Sequence, residues 1–321
     1  MDRRTLLAAL AALAASPWAR AANWPVKPVR YVVPFAPGGT TDILARLLGT
    51  KLQQSLGQTF VVDNRAGAGG VLGADAVAKS PPDGYTILGG TISTQAINPA
   101  LNPKMPYDAA RDLVPITLIG STPNVVIVPA ASPYKTMQDL LADARKNPGK
   151  LTHSSAGSGT SQHMSGELLK QLAKVFIVHI PYRGSGPAIQ DVMGGQVTMG
   201  IDTLVVAAPH IKAGTLRALA VTTAHRARGF ESIPTVAESG VPGYDVASWQ
   251  SVHAPAGTPK EITHLLAAEF AKAMKLPDIV DRFAALGLEP SGMSPEELGA
   301  FETTERAKWA KVIKDGNIKA D

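Results

Sequence analysis

Apolar positions follow two rhythms along this chain, one of strands and one of helices. Val29 to Phe35 (VRYVVPF) is a short run rich in β-branched residues, and the turn cluster Pro37-Gly38-Gly39-Thr40-Thr41 follows it. From Asp42 to Leu56 the period lengthens, placing Ile43, Leu44, Leu47, Leu48 and Leu52 on one helical face. The same unit recurs with a strand at Thr59–Val62, a Gly-rich loop at Arg65–Gly70, a helix through Ala78, the turn Pro81-Pro82-Asp83-Gly84 and a strand at Tyr85–Leu88. Strands alternating with helices predict an α/β protein whose sheet is mostly parallel and covered on both faces.

A long β-rich stretch, Leu113 to Pro129, is interrupted at Ser121-Thr122-Pro123 and reads as a crossing between two lobes. A second α/β series follows. Thr136 and Asp139 form a capping box for a helix to Arg145, Leu151–Ser155 is a strand, and Ala156–Thr160 is a Gly/Ser loop opening a helix to Leu172. Further strands are expected at Ile177–Ile180, Val197–Ile201 and Leu216–Val221, and a second crossing at Val246–Pro255. Three helices complete the chain, capped at Thr258-Pro259-x-Glu261, begun at Pro277, and capped at Ser294-Pro295-Glu296-Glu297. Two crossings imply one discontinuous lobe, residues 22–122 with 248–321, and one inserted lobe, residues 123–247, with a cleft between them.

The 321 residues are ample for two cores, and 45% hydrophobic with 18% charged residues is globular composition. A net charge of +5, partly held by Arg3, Arg4 and Arg20 near the N-terminus, gives no basic groove, so nucleic acid is not an expected partner. Cysteine is absent, which excludes disulfides, thiolate metal sites and a thiol nucleophile. Residues 1–21 read as an export signal: Arg3-Arg4, an apolar run from Leu6 to Ala15, and a small-x-small site at Ala19-Arg20-Ala21. That run is about half the ~20 residues of a membrane-spanning helix.

Both Pro34–Thr41 (PFAPGGTT) and Ser154–Ser161 (SSAGSGTS) follow a strand and open a helix. Each offers backbone N–H groups at the positive end of a helix dipole, with glycine permitting close approach and hydroxyls adding donors. Facing each other across a cleft, they would hold an anion without Lys or Arg. Asp42, in the first turn of its helix, and Asp202, directly after a strand, are the acids to watch, each a structural cap on the simpler reading. Tyr182 and Arg183 in PYRGSGP are candidates for the cleft rim, and Trp249 for hinge packing. Gly67-Ala68-Gly69 fails the dinucleotide fingerprint because the third glycine is Gly73 and no acidic ribose partner follows. Ser158 and His163 suggest a nucleophile and base, but Ala156 replaces the first glycine of a nucleophile elbow, and His163 reads as loop support. The histidines show no metal-ligand spacing, so neither metal nor cofactor is expected.

Ordered blocks across the region after the leader resemble the Bug/TctC-type receptors of tripartite tricarboxylate transporters. They include Trp24–Asp42, Val61–Gly70 (VVDNRAGAGG), Pro81–Leu88, Ala96–Leu101 (AINPAL), Ser154–His163, His179–Val197, Pro209–Thr223 and Pro234–Trp249. The resemblance implies a two-lobe periplasmic-binding-protein fold of the type II, Venus flytrap kind, with mixed, mostly parallel sheets and two hinge crossings. It implies a carboxylate gripped by Phe35, Ala36, Pro37, Gly38, Gly39, Thr40 and Thr41, with Asp42 beside them. The opposing loop is Ser155, Gly157, Ser158, Gly159 and Thr160, with His163 behind. Ser93, Thr94, Tyr182 and Asp202 are similar to positions lining the distal part of the ligand. Ala173-Lys174-Val175-Phe176 departs from the family's usual turn. A monomer in the periplasm, exported by the Sec rather than the twin-arginine route and docking to membrane transporter subunits, is the implied setting. Without cationic loop residues, a ligand with one dominant carboxylate is expected over a tricarboxylate. The alternative is a secreted hydrolase or isomerase using Ser158 and His163.

Overall fold

The computed structural model describes residues 24–319; the predicted leader lies outside the described residues. The strands are β1 (Val29–Val33), β2 (Phe60–Asn64), β3 (Thr86–Thr91), β4 (Leu113–Pro129), β5 (Thr152–Ser155), β6 (Val178–Pro181), β7 (Met199–Thr203), β8 (Leu216–Val221), β9 (Ala247–Pro255) and β10 (Glu289–Met293). The order β2-β1-β3-β9-β4-β7-β5-β6, with β8 and β10 also on β4, makes a mixed sheet built around β4. Parallel pairing holds within β2-β1-β3 and β6-β5-β7, while β9, β8 and β10 run antiparallel to β4.

β4 does not break at Ser121-Thr122-Pro123 but runs on for 17 residues. What changes there is its partner. Leu113 to Pro123 pairs with β9, whereas Asn124 to Ile127 pairs with β7 and Val125 to Pro129 with β8. One strand therefore belongs to two lobes. Beside it, Val246 donates its N–H to Thr222 and Ala247 already faces Pro123, so the second crossing passes at the same level.

Three of the helices that open at the cleft are α1 (Thr40–Leu56), α5 (Ser161–Ala173) and α6 (Ser185–Met193). Between β1 and β3 lies α2 (Val71–Ala78); α3 (Asn98–Leu101) follows a wide, π-helical turn at Ser93–Ile97; and α4 (Met137–Lys146) precedes β5. α7 (Leu204–Lys212) follows β7, and α8 (Lys260–Met274), α9 (Pro277–Leu286) and α10 (Pro295–Asp315) complete the set. The capping boxes at Thr136 and Ser294 form as the spacing predicts. Thr258 does not cap α8, whose N-cap is Pro259 without a side-chain bond. β10, which no apolar alternation marks in the sequence, pairs irregularly along the edge of β4.

Separate cores lie in the two lobes. Tyr31, Leu44, Leu48 and Phe270 centre one, and Val125, Ile127, Ile189 and Leu204 centre part of the other. A third cluster joins them through the C-terminal α10, where Trp249 and Trp309 are buried together with Leu118 and Val126. The Trp249 indole N–H donates to Glu305 at 2.9 Å, so this tryptophan packs at the crossing, as its position in the sequence suggests.

Candidate functional site

Four helices begin at one place between the lobes. Their N-caps are Gly39 for α1, Thr160 for α5, Gly184 for α6 and Thr203 for α7. A small cavity of about 30 Å³ lies among them, and Thr40, Ser161 and Ser185, each the first residue of its helix, line it together with Thr203. The other walls are Phe35, Gly39 and Thr41 from the first loop, Thr91 at the end of β3 and Ser93 just after it, Ala156, Gln162, and Ser248 and Gln250 on β9. No ionisable side chain is among these lining residues. Positive potential there comes from the helix dipoles, and hydroxyls and amides provide the directional bonds.

The lobes meet around this cavity. The Thr40 and Thr203 hydroxyls are 2.5 Å apart, and the Ala36 N–H donates to the Arg183 carbonyl at 3.1 Å. Thr41 is turned to Gln250, donating at 2.8 Å. A second, outer cavity of about 270 Å³ is lined by Phe35, Gly67 to Gly70, Ala156 to Ser158 and Pro181 to Arg183. Arg183 is the cation of that outer wall.

Of the residues singled out from sequence, Phe35, Gly39, Thr40, Thr41 and Ser93 line the inner cavity, and Phe35, Gly157, Ser158 and Tyr182 the outer one. Others serve the loops. Pro37 and Gly38 pack against Gly186 of α6, where an added Cβ would come within 2.3 Å of the Pro37 carbonyl oxygen. The Asp42 carboxylate accepts from the Gly38 N–H at 3.0 Å, from Asn64 at 3.0 Å and from Arg46 at 2.9 Å. Burial alone would raise this carboxyl; the bonds from Arg46, Gly38 and Asn64 outweigh it and hold it below the ordinary value. Asp42 thus shapes the first loop rather than facing the cavity.

The second loop is tied down by its own side chains. Ser155 Oγ accepts from the Gly157 N–H at 3.1 Å and lies 2.6 Å from His179 Nε2. The Gly159 N–H donates to His163 Nδ1 at 3.2 Å. Thr160 Oγ1 caps α5 by accepting from the His163 N–H at 3.3 Å and donates to the Gly157 carbonyl at 2.6 Å. His163 is fully buried and stacks on His179 at 4.3 Å, the loop-supporting role its sequence position suggests. Thr94 is spent on Thr91, whose N–H it accepts at 3.0 Å.

Asp202 sits inside β7, which runs to Thr203, rather than after the strand. Its carboxylate accepts from Ser185 Oγ at 2.7 Å and from the Thr203 N–H at 2.7 Å, and lies 3.5 Å from the Gln162 amide. It therefore stands behind three cavity-lining residues and sets their orientation. Burial pushes its carboxyl up to about 6, against the lowering effect of those bonds. The Tyr182 hydroxyl is committed to Asp191 at 2.5 Å, leaving its backbone at the outer wall.

Sequence reasoning found two of the helix starts, with Ser161 in the second loop, and missed those of α6 and α7, with Ser185 and Thr203, as well as Thr91, Gln162, Ser248 and Gln250. Thr91 and Thr203 both close strands at the edge where α/β proteins gather their ligands, a signal that was available. The Gly67–Gly70 segment, weighed only as a nucleotide motif, instead packs on the second loop: a Cβ on Gly69 would lie 2.1 Å from the Ser158 carbonyl oxygen.

The family model for the tripartite tricarboxylate transporter family receptor matches residues 44–318. BugT of Bordetella pertussis is 38% identical over 298 residues, spanning 92% of this chain and 91% of the relative. A Rhodopseudomonas palustris protein, Rpa4515, solved with adipate, superposes with a TM-score of 0.89 at 41% identity, covering 92% of this chain and 99% of that one. MatC from the same organism, solved with bound malate, gives 0.86 at 33% identity over 90% and 100% of the two chains. With the family model and these relatives each spanning most of its length, the chain belongs to the tripartite tricarboxylate transporter receptors of the Bug/TctC type, periplasmic solute-binding proteins rather than enzymes.

Proposed function

We propose that this protein captures a small carboxylate-bearing solute between its two glycine-rich loops in the periplasm and presents it, by hinge closure, to a tripartite tricarboxylate-type transporter. The observation that carries the reading is the convergence of four helix N-termini on an uncharged cavity rich in hydroxyls between the lobes. Adipate and malate, named for two structural neighbours, are both carboxylates and support the ligand class. The lobes are residues 22–122 with 248–321 and residues 123–247, hinged at about Ser121–Asn124 and Ala247–Gln250. The shift of β4 from β9 to β7 and β8 between Pro123 and Asn124 supports that division. Residues 1–21 are an export signal of the Sec type, and the receptor works as a monomer.

The ligand carries one dominant carboxylate. Fixed dipoles suit a single carboxylate better than a concentrated trianion, and among the described residues Arg183 of the outer wall is the one cation within the two cavity linings. Thermal-shift measurements on the protein without residues 1–21 test the reading, using a monocarboxylate series, adipate, malate and citrate. Melting temperature should rise with mono- or dicarboxylates and less with citrate. Turnover of a carboxylic ester with no stabilisation by any carboxylate would overturn the receptor reading, and tight citrate binding that survives Arg183→Ala would overturn the charge argument.

A further inference from the structure

We infer that Asn98 is an interlobe latch: its side-chain amide ties the Gly67–Gly70 segment of one lobe to the second glycine-rich loop of the other and so sets the population of the closed state. The inference rests on the solute-receptor reading above. Asn98 opens the short helix α3 and is 5% exposed. Its Nδ2 donates to the Gly69 carbonyl at 3.0 Å and to the Gly159 carbonyl at 3.3 Å. The first bond stays within the lobe that carries β1 to β3, whereas the second crosses to the lobe that carries β5 to β7. A primary amide has two N–H groups, so a single side chain can serve both carbonyls.

Both carbonyls sit on glycines that the contact requires. At Gly159, with φ +74°, an added Cβ would stand 2.1 Å from Asn98 Oδ1. At Gly69, with φ +60°, it would stand 2.1 Å from the Ser158 carbonyl oxygen. Any side chain at either position would prop the lobes apart. Gly159 also donates its N–H to His163, so the residue gripped by Asn98 is one whose orientation α5 already fixes.

Asn98 is not among the residues that line the inner cavity. A change there therefore acts on closure and leaves the cavity walls in place. When only the closed state holds the ligand, apparent affinity falls with the closed fraction, and a lost latch shows in release rather than capture.

The test uses adipate and malate as probes and follows both kinetics and lobe separation. Since the sequence contains no cysteine, Gln54→Cys with Gln190→Cys places one dye on each lobe without background labelling. Asn98→Ala should speed dissociation roughly tenfold, the equivalent of about one to two neutral hydrogen bonds, with association nearly unchanged. The ligand-free dye distance should lengthen, and saturating adipate or malate should restore it. Asn98→Asp, which turns an acceptor toward two carbonyls, should do the same more strongly. Gly69→Ala should reproduce the effect sterically while keeping Asn98. Gly57→Ala is its control: the residue has φ +72° and open space where a Cβ would go, so it carries the same backbone cost without touching the other lobe. Wild-type release and wild-type lobe distance in both Asn98→Ala and Gly69→Ala would overturn the latch. If the unmutated protein bound neither probe, the carboxylate reading would fall, and the ligand-free dye distances would still decide the latch.

Discussion

Asp202 and His153 bring opposite pH dependences into the second lobe. Burial raises the Asp202 carboxyl to about 6 from an ordinary 3.8, so between those values the fold retains a proton that the unfolded chain releases. Its contribution to stability is therefore greatest near pH 4 and declines as pH rises through about 6. His153 is the reverse. Burial, with His179 and Lys170 nearby, depresses its imidazole to about 3 from 6.5, and neither ring nitrogen has a hydrogen-bond partner among the described residues. Below pH 6.5 the unfolded chain gains a proton that the fold refuses, so stability falls as pH drops toward about 3. Melting curves between about pH 4 and pH 7 separate the two. Asp202→Asn should gain melting temperature relative to wild type at the upper end and lose that advantage at the lower. His153→Phe should flatten the acid side. A parallel displacement of either variant at every pH would show that its group does not titrate on folding.

Among the elements, the helix N-termini are where local sequence and site chemistry coincide. Thr160→Ala removes both the α5 cap and the hydroxyl that holds Gly157, and should cost about 1 kcal/mol of stability together with a loss of carboxylate affinity. Ser158→Ala, at the outer wall, should cost at most about one neutral hydrogen bond of binding, roughly 0.5–1.5 kcal/mol. Gly157→Val, whose Cβ would lie 2.9 Å from the Tyr182 carbonyl at φ +131°, should abolish binding. Calorimetry ranks these variants; equal losses from Ser158→Ala and Gly157→Val would mean the hydroxyl, and not the backbone path, governs recognition. The starts of α1 and α5 were legible because Gly, Ser and Thr cluster after an apolar run. Those of α6 and α7 were not: Gly184 lies in a loop that reads as a rim, and β7 ends two residues later than its apolar pattern suggests, hiding Thr203. β10 escaped for a related reason. Glu289-Pro290-Ser291-Gly292-Met293 is mostly exposed and has turn composition, so pairing with β4, and not propensity, makes it a strand. In β4 the near-continuous burial of both halves leaves no period to read, and the Ser121-Thr122-Pro123 interruption is the signal that marks where its partners change.

For the whole molecule, the two crossings are where the proposed hinge lies, and the Thr222 hydroxyl spans them. Thr222, fully buried just after β8, accepts from the Asn124 N–H at 2.9 Å and donates to the Val246 carbonyl at 2.7 Å. Asn124 is the first residue of β4 to pair in the second lobe, and Val246 is the last before β9 joins the first. The backbone repeats the tie, with Thr222 N–H to the Asn124 carbonyl at 2.9 Å and Val246 N–H to the Thr222 carbonyl at 2.8 Å. The strands are thus clamped side by side at the level of the proposed hinge, an arrangement that would confine bending there to few backbone torsions. Thr222→Val keeps the shape but leaves the Asn124 N–H buried without its side-chain acceptor, a penalty of about 1–3 kcal/mol. Thr222→Ser keeps the hydroxyl and loses one methyl group, about 1 kcal/mol. The valine variant should therefore melt lower than the serine variant, and with a looser hinge it alone should broaden the distribution of lobe distances in the ligand-free protein. A valine variant that melts at or above the serine variant, with an unbroadened distribution, would mean that backbone pairing alone holds the crossings together.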